Sequence, residues 1–438
     1  MSAWPQMGAG GVGAAPGAGS EGQMQVPPPV SNENYSTAVG PETRSNYIRV
    51  GLLTSSSYSD NVLVGTGTYP ISDVSYTLWP TISFDKTTAR MHQLVSYTPG
   101  FTLYQHNSDL NYGDQNLAYT FKYRLSPHTT LSLADLLGKT SNALNQPFPL
   151  AQGVSGSLQS PPEVVVAATA SQLNNNANAE LTYQFDRDSM VGASCTFTNL
   201  DYLNPNQADG LFNSTSRGGA GFYNHRLSEK TYLGATYQYS QISSTPVSGQ
   251  GSTTNQIGSD AQTNTLYIFL TLYLAPKLSL SLSAGPQHYE VTQPNVTTIS
   301  GWMPAVKASV GWQARHAGFA ASYSYGVSAG GGLNGAFDTQ SAAATGRWQL
   351  TRSWTLGATV SYAITKAVSE VVSQSDSGGH SFVGTVAVQH PVGEHLTMEL
   401  GYTRLQQSYG NIAVIANAPD ANREYIAIAY RFARPLGR

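Results

Sequence analysis

Cysteine is almost absent from this chain, with Cys195 the single example in 438 residues. One thiol closes no internal disulfide and builds no multi-cysteine metal site, which excludes a disulfide scaffold and a zinc knuckle. Charge is scarce as well: Asp, Glu, Lys and Arg make up 11% of the residues and the formal net charge is -3. A nucleic-acid surface needs a clustered basic face, and the sequence offers none. Although 40% of the residues are apolar, no run reaches the about 18 consecutive apolar residues of a membrane-spanning helix. Any passage through a membrane must therefore be made by strands.

What is present in quantity is alternation. From Trp354 to Thr365 large apolar and small polar side chains alternate without a slip, as they do in a strand with one apolar face. The same period recurs at Ile48 to Ser55, Ser75 to Phe84, Gln93 to Tyr104, Leu117 to Leu125, Thr129 to Leu137, Asn178 to Phe185 and Val191 to Asn199. It continues at Arg217 to His225, Tyr232 to Ser240, Thr265 to Leu274, Leu278 to His288, Val306 to Gln313 and Phe319 to Val327. Ala342 to Leu350, Trp354 to Thr365, Phe382 to Gln389, Leu396 to Leu405 and Tyr425 to Phe432 complete the series. The sum is about 18 strands, an even number within the range of outer-membrane barrels.

The connectors carry independent information. Those after even strands are short, such as Ser126-Pro127-His128, Ala275-Pro276-Lys277 and Thr351-Arg352-Ser353, whereas those after odd strands are long and polar, such as Ser244 to Gln262 and Gln407 to Arg423. Short turns on one side and long loops on the other mark a transmembrane antiparallel β-barrel, all-β, with its turns in the periplasm and its loops outside the cell. A soluble sandwich alternates too, but has no need of that rhythm. Residues 1–45, rich in Gly, Ala and Pro at their start, are expected to be a flexible tail, with the barrel over 46–438. Residues 1–29 lack the charged and apolar segments of an export leader, so the expectation is a leader that lies upstream or has been removed.

Phase assigns the faces. Leu278, Leu280, Leu282 and Ala284 alternate with Ser279, Ser281 and Ser283; Leu396, Met398, Leu400 and Tyr402 alternate with Thr397, Glu399, Gly401 and Thr403. The first sets are expected to face lipid and the second a watery lumen, which at about 18 strands is wide enough for a channel. On the inward phase the candidate pore-lining charges are Arg49, Lys122, Arg124, Lys307, Arg347 and Arg431, against Glu180 and Glu399. The lean is positive, and cations in a narrow passage concentrate anions.

The block Tyr58-Ser59-Asp60-Asn61-Val62, the tract Ser96 to Tyr104 and the strand-turn-strand from Leu117 to Leu137 resemble the outer-membrane β-barrel porins of Gram-negative bacteria. The last strand, with Ile426, Ile428, Tyr430 and Phe432 on one face, is similar to the terminal signal by which the barrel-assembly machinery recognises such chains. The resemblance implies a cell outer membrane, small hydrophilic solutes as cargo and no cofactor. It also implies that the loop after the fifth strand, Gly138 to about Gln172, folds into the lumen as a constriction.

Chemistry beyond transport has weak support. Gly326-Val327-Ser328-Ala329-Gly330 has the spacing of a nucleophile elbow, but that motif needs a strand-turn-helix and here follows a barrel strand. Asp109, Asn111 and Asp114 echo a calcium loop without its closing bidentate Glu. The expectation is a non-enzymatic pore, passive or weakly selective. The alternatives are an exopolysaccharide export pore, which predicts tyrosine and tryptophan ladders on the lumen face, and a surface adhesin that uses the barrel as anchor.

Overall fold

In the computed structural model the chain forms an 18-stranded antiparallel sheet that closes on itself, the first strand pairing with both the second and the last. The structure describes residues 46–64, 69–141, 170–208, 211–247, 258–275, 277–294, 298–314, 316–329, 332–368, 378–409 and 420–436. The expected tail, 1–45, and most of the expected luminal constriction, 142–169, lie outside the described residues.

The strands are β1 (Tyr47–Ser59), β2 (Asp73–Thr87), β3 (Met91–Tyr104), β4 (Tyr112–Arg124), β5 (Thr129–Thr140) and β6 (Gln172–Asp186). Next come β7 (Ser189–Tyr202), β8 (Phe212–Ser228), β9 (Thr231–Pro246), β10 (Ser259–Ala275), β11 (Leu278–Thr292) and β12 (Ile299–Gln313). The last six are β13 (Ala317–Ala329), β14 (Ala336–Gln349), β15 (Thr355–Ala367), β16 (Gly379–Pro391), β17 (Leu396–Tyr409) and β18 (Ala421–Pro435). Each pairs only with its sequence neighbours, apart from the closing β1–β18 seam, which runs from Tyr47 opposite Pro435 to Ser59 opposite Arg423. Closure gives every strand a neighbour on both sides, as a sheet in hydrocarbon requires, although β12 pairs with β13 only over Val306–Gln313.

The even-to-odd turns are tight. In the β4–β5 turn Ser126 and Thr129 exchange backbone hydrogen bonds at 3.3 Å each way, and the Ser126 hydroxyl donates to that of Thr129 at 3.0 Å. The strands themselves are longer than alternation alone suggests: β8 covers Phe212–Ser228 rather than Arg217 to His225, and β6 begins at Gln172 rather than Asn178. Their added ends are polar on both faces, as at Asn174-Asn175-Asn176, so backbone pairing continues where the contrast between faces has faded.

Among the described residues the buried apolar side chains form several separate clusters, such as Leu53, Trp79, Ala427 and Ala429, rather than one core. Large apolar side chains on the outer surface stay exposed, among them Leu78, Phe101, Ile268, Leu282, Leu400 and Ile428. Positions one residue away turn inward, and Ser279, Ser281, Ser283, Thr271 and Thr77 are buried there. Trp312 and Trp302 stand on the outward phase ten residues apart on β12. At about 3.3 Å per residue and a tilt of about 40°, they lie about 25 Å apart along the barrel axis, the height of a lipid-facing apolar band with an aromatic girdle at each edge.

Candidate functional site

The inner wall is the one surface on which polar side chains converge. The register places every sequence-predicted charge, Arg49, Lys122, Arg124, Glu180, Lys307, Arg347, Glu399 and Arg431, on the inward phase. They do not form one cluster. Arg49 is paired with Asp85 at 3.2 Å, and His92 Nε2 lies 3.5 Å from the same carboxylate. Glu399 is buried and accepts hydrogen bonds from Gln389 Nε2 and the Tyr425 hydroxyl, each at 2.8 Å. Arg431 follows Tyr425 on the same inward phase of β18. Arg347 stands in register between Gly318 and Gly357 on the neighbouring strands.

Lys307 has the most telling position. It stands five residues from Trp312 and five from Trp302, at mid-height of the band, and points inward. Its ammonium sits 5.1 Å from the centroid of the Tyr267 ring, a cation–π distance. Around it Ser194, Thr196, Thr236, Gln238 and Ser283 line a shallow recess in the wall. Opposite in character are Lys122 and Arg124 at the lower end of β4, whose side chains are exposed.

Aromatic rings also turn inward, and two of them are buried against glycines of the next strand. Trp79, 1% exposed, covers Gly100 of β3 so closely that a Cβ there would overlap the ring, and Phe269 covers Gly234 of β9 in the same way. A small residue in one strand thus makes room for a ring from its neighbour.

Five inward charges escape a reading that stops at the strand centres: Asp73, Asp85 and Asp114 among the acids, and Arg226 and Arg423 among the bases. Each continues the two-residue period past the expected span, as in Asp73-Val74-Ser75 and Arg423-Glu424-Tyr425. That continuation is the signal that could have found them. With them counted, the positive lean of the lumen narrows. The terminal set Ile426, Ile428, Tyr430 and Phe432 forms an exposed outward row on β18.

The two enzymatic or metal motifs dissolve into structural roles. Ser328 lies within β13 and its hydroxyl shares a 2.7 Å hydrogen bond with that of Thr339. Asn111 Oδ1 accepts from the Tyr104 amide at 2.7 Å and Asp114 Oδ1 from the Ser141 amide at 2.8 Å. Among the described residues no three His, Cys, Asp or Glu side chains are grouped to hold a metal.

At the outer rim Asp73 organises the loop between β3 and β4. Its carboxylate accepts from the Asn107 side chain at 2.8 Å, the Asn107 amide at 3.0 Å and the Val74 amide at 2.7 Å, and faces His106 Nδ1 at 3.0 Å. Asp73 is fourteen residues up from Thr87, the lower end of β2, and so lies beyond the level of Trp302. Burial there pushes its pKa up, but the hydrogen bonds from Asn107, His106 and Val74 outweigh it and bring the group down to about 2.

No family model matches the chain, and no curated protein does. Among solved structures the outer membrane protein opdK from Pseudomonas aeruginosa is similar at 11% identity, with 89% of this chain and 100% of that one covered and a TM-score of 0.40. OccAB4 from Acinetobacter baumannii is similar at 9% identity, covering 89% and 99%, with a TM-score of 0.40. The FrpB iron transporter from Neisseria meningitidis is similar at 12% identity, covering 85% of this chain and 63% of that one, again with a TM-score of 0.40. Likenesses this distant assign this chain neither a family nor a solute.

Proposed function

We propose that the chain is an outer-membrane pore for the passive or weakly selective diffusion of small hydrophilic solutes. The observation that carries this reading is Lys307: an ammonium at mid-height of the lipid band, aimed inward among hydroxyl and amide side chains. A lysine there is costly in an apolar interior and ordinary beside water. Solutes recognised by such a wall are small, hydrated and rich in hydroxyl groups. The Lys and Arg side chains favour anions, and Asp73, Asp85 and Asp114 moderate that preference.

The buried rings weigh against polysaccharide export, because a sugar ladder needs aromatic faces open to the passage, and Trp79 and Phe269 are each 1% exposed. The outward row Ile426, Ile428, Tyr430 and Phe432 suits recognition by the barrel-assembly machinery and afterwards contact with lipid. A planar bilayer containing the purified barrel tests the proposal: stepwise conductance with a modest anion preference is expected. A barrel that inserts fully and carries no current would overturn it and leave the adhesin reading standing.

A further inference from the structure

One side chain does not suit a face that meets lipid. Asp135 shares the outward phase of β5 with Leu131, Leu133 and Leu137, and stands in register between Tyr119 of β4 and Ala177 of β6. It is six residues above Thr129, the lower end of β5, whereas Trp312 and Trp302 are one and eleven residues above the lower end of β12. Asp135 is therefore at mid-height of the apolar band. Its Oδ1 is covered and has no hydrogen-bond partner. Other outward charges, such as Lys139, Arg217 and Glu424, stand ten or eleven residues up from the lower ends of their strands, at the level of Trp302. Charge at that edge reaches water, and charge at mid-height does not.

The surroundings of Asp135 also differ from the rest of the outer surface. On one side Tyr119, Phe121 and Tyr123 stack as a ridge, with centroid spacings of 6.4 and 6.0 Å and planes within 7° of parallel. On the other side Ala177 and Ala179, Ala193 and Cys195, and Gly219 and Gly221 replace the large aliphatic residues found on β10 to β12. Beyond that hollow Arg217 occupies the same register row as Asp135, through Ala177 and Phe197. Ridge, carboxyl, hollow and cation follow one another around the barrel.

We propose that the outward face of β4 to β8 is an interface at which a second copy of this chain packs, the ridge of one copy entering the hollow of the other. Packing removes Asp135 from hydrocarbon, and Arg217 supplies the opposite charge at the edge of the same face. Aromatic ridges and close approach over small residues are what association within a membrane uses. The inference requires the barrel to span a membrane but not to conduct, so it and the pore reading fail separately.

Cys195 lies in the hollow itself, so the label is placed at the exposed β4–β5 turn: in Cys195→Ser with His128→Cys, one spin label per chain senses only another copy. The full chain labelled in this way is diluted into vesicles at a large lipid excess. Dipolar coupling between labels is expected, and native mass spectrometry from nanodiscs should give a multiple of the 46.6 kDa chain mass. Asp135→Leu and, independently, Ala177→Trp are expected to reduce the assembly to single copies while strand content by circular dichroism is kept. Ile268→Trp on the far side should leave it intact. A wild-type protein that is single-copy in both measurements, or an assembly unchanged in Asp135→Leu and Ala177→Trp, would overturn the proposal.

Discussion

The walls formed by β10 to β12 and by β4 to β6 are built from the same two-residue period and behave differently. On β10 to β12 the outward residues are aliphatic, with Leu266, Ile268, Leu280, Leu282 and Val310 in succession, and the inward ones combine small hydroxyls such as Thr271 and Ser281, hydrogen-bonded at 2.9 Å, with Tyr267, Phe269 and Lys307. On β4 to β6 the outward face carries Tyr119, Asp135 and Ala177, and the inward face exposes Lys122 and Arg124. The difference teaches that period assigns a side chain to a face, whereas composition says what covers that face. The first wall fits lipid and the second fits protein.

The sharpest way to break this comparison is a charge on the first wall. Ile268 is 63% exposed and seven residues above Ala275, the lower end of β10, close to mid-height. Ile268→Arg is expected to cost about 2–4 kcal/mol, the penalty for arginine at the midplane of a barrel's lipid face, read from reversible denaturant unfolding in phospholipid vesicles. A loss below about 1 kcal/mol, the penalty near an interface, would mean that β10 does not face hydrocarbon there.

Beneath that lipid-facing surface, packing should be tight. A side chain at position 234 would meet the Phe269 ring and the Tyr223 carbonyl oxygen, so Gly234→Val is expected to destabilise by about 1–3 kcal/mol through overpacking. Adding Phe269→Ala removes one of the two obstacles, and the double variant should lose less than the two single losses combined. Strict additivity in the unfolding measurement would show that the ring does not lie over the glycine.

The two walls should also differ electrically. Lys307→Glu acts at mid-height in the recess, and Lys122→Glu acts near the lower end, where the side chain is exposed. Both are expected to move the reversal potential under a salt gradient toward cations, with the larger shift for Lys307, because a charge half-buried in the wall is less screened than an exposed one. Equal shifts, or a larger one for Lys122, would reverse the order of the two walls along the permeation path.

How much of this was legible in the sequence follows from where contrast exists. Within the lipid band the two faces differ sharply, and the phases of Leu278 to Ala284 and Leu396 to Thr403 agree with the register. Above it both faces are polar, so the upper part of β8, with Ser214-Thr215-Ser216, and the start of β6 gave no alternation to read. Inward Asp73, Asp114 and Arg423, on β2, β4 and β18, were lost because the reading stopped at the strand centres although the two-residue period runs on to each of them. The inlay of Trp79 on Gly100 was out of reach for another reason: it depends on the β2–β3 register, across twenty-one residues of sequence. Asp135 sat in plain view within an expected strand, and only the neighbouring strands reveal that it faces outward at mid-height.

The smallest expected effect uses a second carboxylate as the reference for Asp135. Asp73 is as enclosed as a carboxylate can be, with no exposed side-chain surface, yet donors surround it, whereas Asp135 Oδ1 has none. The pKa of Asp73 in the folded protein, about 2, lies below the ordinary value of 3.8. The sign follows: a depressed carboxyl stabilises the rim fully above its ordinary pKa, and that contribution is lost as pH falls through about 4 toward 2. Amide exchange of His106 and Asn107 should therefore be slow at neutral pH, corrected for intrinsic rates, and lose protection over that window. Asp73→Asn should show the faster exchange already at pH 7, with the barrel's global unfolding little changed because the clasp lies outside the band. Protection that survives at pH 2, or in Asp73→Asn, would remove the carboxylate from the account of the rim and with it the standard by which Asp135 is judged unpartnered.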